Sequence, residues 1–179
     1  MNETRKKKPR GMALLVVDVQ WGLFQRATPM YHPEEVLANI NILVDRAHRA
    51  EVPVIYVQHA NEGTLVKGSN LWQLHPAIKP LEHEQIVHKR QPNAFEETSL
   101  DQELRARGVQ QLIITGMLTQ GCVRATCIGA HELGYQVVLV EDGHSNFSKR
   151  ALWTIRYWNR TLQESGIVTL KTAAEIHFS

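Results

Sequence analysis

Four apolar runs that lack polar alternation constrain the fold of this chain most strongly: 12–17 (MALLVV), 52–57 (VPVIYV), 109–114 (VQQLII) and 135–140 (YQVVLV). A strand with one wet face alternates apolar and polar side chains, whereas a strand covered on both faces reads as a continuous apolar run. Between the first two, residues 34–50 place Val36, Leu37, Ile40, Leu43, Val44 and Ala47 at the three-and-four spacing of an amphipathic helix. Glu34 and Glu35 open that helix and Arg46, His48 and Arg49 close it, as the helix dipole favours. Pro53 stands at the start of its strand, where a missing N–H matters least. Shorter strands are predicted at 85–89 and 167–170. Further helices are predicted at 98–107 with Thr98 as cap, at 123–133 closed by Gly134, and at 148–165 closed by Gly166. Strands and helices that alternate in this way predict an α/β fold with a parallel sheet covered on both faces.

In such a fold ligands bind beyond the carboxyl ends of the strands, where the strand order reverses. Asp18 and Cys122 each follow a predicted strand, and Lys89 ends one. Cys122 is expected in the first turn of a helix with Thr119 as its N-cap. There unpaired N–H groups and the helix dipole favour an anion, and a thiol can ionise below its usual pKa of about 8.5. A nucleophilic cysteine needs a proton acceptor and donors for the oxyanion that its attack creates. Asp18 is the candidate acceptor. Lys89 is the charge that would steady both Asp18 and a thiolate, and backbone N–H groups of 117–122 are the candidate oxyanion hole. The plainer alternatives, a solvated lysine and a turn-forming aspartate, stay open on spacing alone.

Three separated motifs carry a family resemblance. Residues 14–20 (LLVVDVQ), 88–95 (HKRQPNAF) with Thr98 and Leu100, and 115–123 (TGMLTQGCV) resemble, in order, the opening, lysine and nucleophile motifs of the isochorismatase-like cysteine hydrolases. The match continues through 130–142 and spans about residues 13–170. The resemblance implies a Rossmann-like three-layer α/β/α fold with a six-stranded parallel sheet and a catalytic triad of Asp18, Lys89 and Cys122. It also implies a non-proline cis peptide at Met117–Leu118 that directs the Leu118 and Cys122 amides at the oxyanion. The implied activity is hydrolysis of an amide or ureido C–N bond through a thioester. The alternatives are an ester or cyclic-amide hydrolase, or a catalytically silent member in which Cys122 serves as a redox-sensing thiol or a small-molecule-binding site. The Asp-x-His metal motif of the family's nicotinamidases is absent from 57–61 (VQHAN), so no metal or other cofactor is expected; His59 and His75 read as pocket or surface histidines.

Trp21, Phe24 and Trp72 are candidates to line an apolar substrate site, with plain core packing as the alternative. Met117 is counted with them. Arg124 could meet an anionic substrate group or form a surface salt bridge, and His144 could touch substrate or serve only the turn expected at 141–145. The weakly patterned segment 59–84 reads as a functional loop. Aromatic residues on several faces of the last helix (Trp153, Tyr157, Trp158) suggest a homodimer or homotetramer, which the family resemblance also implies.

The 179 residues are expected to form a disordered basic tail (1–11) and a single domain (12–179). A net charge of +2 argues against a dedicated nucleic-acid binder, and no stretch reaches the ~18 apolar residues of a membrane span. The apolar run at 12–17 is too short for a signal peptide and lacks a cleavage site. With only two cysteines, five apart, free thiols and a cytoplasmic location are expected, with Cys127 as a small core residue.

Overall fold

The computed structural model describes residues 11–178, so the predicted basic tail lies almost wholly outside the described residues. Six parallel strands form one sheet: β1 (Met12–Val17), β2 (Val54–His59), β3 (Gln85–Lys89), β4 (Gln111–Met117), β5 (Gln136–Ser145) and β6 (Thr169–Lys171). Their order is β3-β2-β1-β4-β5-β6, so the chain reverses direction across the sheet between β1 and β4.

The apolar runs are explained by burial on both faces. In β1, Leu14 and Val16 face one core with Val54, Tyr56 and Ile113. Ala13, Leu15 and Val17 face the other with Ile55, Val57, Leu112 and Ile114. Helix α2 (Pro33–Arg49) covers the first face through the six apolar positions of its stripe. Helices α3 (Leu100–Ala106), α4 (Arg124–Glu132) and α5 (Ala151–Glu164) contribute Leu100, Leu104, Cys127, Ala130 and Leu162 to the second. Each fully buried leucine, isoleucine or valine contributes about 1.5–3 kcal/mol. One-turn α1 (Trp21–Phe24) and a 3₁₀ turn (Asn70–Trp72) lie beyond the strand ends.

Several boundaries differ from the sequence reading. β5 runs on through the expected 141–145 turn, because Gly116 pairs with His144 and Met117 with Ser145 after a register shift. Helix α5 starts at Ala151, since Asn146 Oδ1 and Ser148 Oγ cap the preceding turn by accepting from Ser148 N and Arg150 N. The Thr98 hydroxyl donates to Ala94 O and accepts from Leu100 N, so Ser99 stands at the N-cap of α3. Gly116 cannot be replaced freely: with φ at 127°, an added Cβ would collide with Val17 O. β4 pairs there with the end of β1, Gly116 against Val17, where the chain leaves for the site.

Candidate active site

Asp18 follows β1 directly, Cys122 lies just beyond β4, and Lys89 ends β3. The first two therefore flank the reversal in strand order, where an open parallel sheet leaves a crevice. Lys89 arrives from two strands away, across the end of β2, where His59 pairs with it in register. Its ammonium lies 2.8 Å from Asp18 Oδ2, both side chains being buried. The same ammonium donates to Cys122 Sγ at 3.3 Å and to Gln91 O at 3.1 Å, and lies 3.1 Å from His59 Nδ1. The three sequence candidates are thus brought into contact.

The nucleophile turn differs from the expected helix start. Thr119–Val123 form a single π-type turn broken at Gly121 (φ −107°, ψ −110°), and α4 begins only at Arg124. Thr119 is not a helix cap. Its hydroxyl meets His144 Nδ1 at 2.9 Å, and His144 Nε2 meets Asn159 Oδ1 of α5 at 2.9 Å. All three residues are buried. Burial pushes the His144 pKa down to about 4, so the ring is neutral at pH 7. It accepts from Thr119 and donates to Asn159. The Met117–Leu118 peptide preceding this turn is cis.

The expected low thiol pKa is overturned. Burial, then the Asp18 carboxylate and its hydrogen bond, push Cys122 up to about 12, and Lys89 offsets only part of this. A desolvated thiol beside a carboxylate keeps its proton, so Cys122 rests as the thiol. Burial raises Cys127 too, and it lies wholly inside the core among the described residues.

Asp18, His59 and Cys122 offer ligand atoms within 4.8 Å of one another, a spacing that could hold a metal ion. The Lys89 ammonium touches all three, so a divalent cation would meet a positive charge already in place. The residues do not fit a metal. His75 stands apart from this group, packed on Trp21 and Phe24 with ring centroids 5.2 and 4.6 Å away.

The remaining candidates have mixed placements. Trp21 and Phe24 are half-buried beside His75, next to the loop that follows Asp18. Trp72 and Met117 are buried in the core of the α2 face. Arg124 forms a cation–π contact with Trp158, 4.5 Å from the ring centroid. Sequence reasoning missed the role of Gln20. This buried side chain donates to His59 O at 2.9 Å and to Trp72 O at 2.8 Å, and accepts from His59 N at 2.9 Å. It joins the β1 loop, the end of β2 and the 70–72 turn. Its position two residues after Asp18 in the opening motif was the available signal.

A family model for the isochorismatase domain matches residues 12–172. A streptothricin hydrolase of Streptomyces noursei is 35% identical over 137 residues, which cover 75% of this chain and 50% of that protein. The chain therefore spans about half the length of that relative. The maleamate amidohydrolase of Pseudomonas putida is 27% identical over 169 residues, covering 82% of this chain and 79% of that enzyme. The crystal structure of an isochorismatase from Pseudomonas putida KT2440 has a TM-score of 0.84 at 25% identity, covering 97% of this chain and 94% of that one. The six-stranded parallel sheet, the site at its strand reversal and the family model over 12–172 agree: the chain belongs to the isochorismatase family of hydrolases.

Proposed function

We propose that this chain hydrolyses an amide or ureido C–N bond of a small molecule through a thioester on Cys122. The observation that carries the reading is the buried Lys89 ammonium, in contact at once with the Asp18 carboxylate and the Cys122 sulfur. A high thiol pKa requires the proton to leave as the sulfur attacks. Asp18 takes that proton, and the Sγ–carbon bond forms. The carbonyl oxygen becomes an oxyanion held by the Leu118 and Cys122 amides. Lys89 pairs with the Asp18 carboxylate before transfer and compensates the negative charge that passes to the sulfur. The C–N bond then breaks as Asp18 returns the proton to the leaving nitrogen. Water adds to the thioester, losing a proton to Asp18, and collapse restores the thiol. The amide specified in the name of the maleamate amidohydrolase relative supports a C–N bond as the target.

In this reading Trp21 and Phe24 line the substrate side of the site, Met117 and Trp72 support it from the core, and Arg124 offers a cation near the nucleophile. The exposed, stacked Trp153 and Tyr157 on α5 fit a face covered by another copy in a homodimer or homotetramer. No described helix is long and apolar enough to cross a membrane. An ammonia-release screen over amides and ureides tests the activity. Cys122→Ala should fold normally and release no ammonia. Turnover at the wild-type rate by the purified variant would end the proposal.

A further inference from the structure

We infer that His59 is a positioning residue that confines the Lys89 ammonium between Asp18 and Cys122, and that it does so as the neutral ring protonated on Nε2. The inference rests on the Asp18–Lys89–Cys122 reading and adds a fourth member to it. An ammonium has three N–H groups, yet Lys89 has four acceptors in reach: Asp18 Oδ2 at 2.8 Å, His59 Nδ1 and Gln91 O at 3.1 Å, and Cys122 Sγ at 3.3 Å. His59 Nδ1 and Gln91 O occupy two of those donors, so the third is shared between the carboxylate and the sulfur. That leaves the ammonium poised between carboxylate and sulfur, able to follow negative charge from one to the other.

His59 is itself fixed. Gln20 holds both its N–H and its C=O at 2.9 Å, as a neighbouring strand would, and β2–β3 pairing sets it opposite Lys89. Because Nδ1 accepts from the ammonium, the ring proton must sit on Nε2. A ring protonated on both nitrogens would turn an N–H toward the ammonium and expel it. The charged or titratable groups facing His59 are Lys89 from β3, Asp18 from the end of β1 and Cys122 from the π-type turn. Burial first, then Lys89, lower the His59 pKa below its ordinary 6.5, against opposing pulls from Asp18 and from a hydrogen bond to the Gln91 backbone. The neutral ring is therefore the resting form at pH 7.

The tests need no substrate, so their failure is distinct from failure of the hydrolase reading. Long-range ¹H–¹⁵N NMR of the wild-type protein should show the Nε2–H tautomer for His59; an Nδ1–H tautomer overturns the inference. His59→Asn keeps an acceptor near the Nδ1 position, whereas His59→Leu removes it. Iodoacetamide should alkylate Cys122 at pH 8.5 at close to the wild-type rate in the Asn variant. In the Leu variant the rate should fall about tenfold, the effect of one further unit of thiol pKa on the thiolate fraction. Equal rates in Leu variant and wild type, or equally slow Asn and Leu variants, overturn the inference. Should the Leu variant fail to fold by circular dichroism, the tautomer decides alone.

Discussion

Replacing Lys89 with methionine keeps most of the apolar stem and removes the ammonium. Lys89 and Asp18 are both buried and 2.8 Å apart, so the substitution leaves a carboxylate without its counter-charge in a desolvated site. Removing one partner of a buried ion pair costs about 3–5 kcal/mol, far more than the near-zero value of an exposed pair. For a domain of this size each kcal/mol moves the melting temperature by about 2–4 °C, so Lys89→Met should melt about 6–20 °C lower. Removing both charges in Asp18→Asn/Lys89→Met should recover most of the loss, because the penalty lies in the orphaned charge and not in lost packing. Urea titrations at pH 7, with a common slope for the three proteins, measure these differences. Both variants should lack hydrolase activity. A single variant within about 1 kcal/mol of wild type would refute the account, since a carboxylate in this setting could not then be desolvated. A double variant no more stable than the single would refute it equally, by showing that the loss is one of shape.

Three further outcomes follow. His144 is neutral when folded down to about pH 4, while the unfolded chain binds its proton near 6.5; the unfolded state therefore holds more protons in that window, and stability falls as pH drops through it. That loss is up to about 1.4 kcal/mol per pH unit, and urea titrations of His144→Gln should show the slope removed. Cys122 behaves oppositely: folding holds its proton from the ordinary 9.0 up to about 12, so the folded state binds more protons and stability falls as pH rises through that range, a decline that Cys122→Ser should flatten in thermal melts. Gly116→Ala should destabilise by at least about 2 kcal/mol in chemical denaturation, because the new methyl meets Val17 O in a backbone region that disfavours a side chain.

The sheet was legible because a strand buried on both faces leaves an unbroken apolar run, and β1 shows this with every side chain from Ala13 to Val17 buried. The polar stretch at the end of β5 was misread as a turn. Its polar groups are answered by distant partners: Asp142 Oδ1 accepts from Ala173 N, Ser145 Oγ donates to Tyr31 O, and His144 joins Thr119 to Asn159. Local pattern carries no trace of partners so far along the chain. The three reactive residues could be found by their positions after strands. The acidity of Cys122 could not, since the desolvation of the sulfur arises only when β1, β3 and β4 converge. His59 and Gln20 were visible as letters, but their mutual clamp depends on the loop after β1 reaching the end of β2.

The strand order has a mechanical consequence. Asp18 and Cys122 lie just beyond the two most interior strands, β1 and β4, but Lys89 belongs to β3, an outermost strand paired on one side only among the described residues. Outer strands open more cheaply than the body of a sheet. Gentle heating or dilute denaturant should therefore peel the ammonium away while the central strands stay intact. Function would then be lost as an edge event, ahead of the cooperative melt and recoverable on cooling.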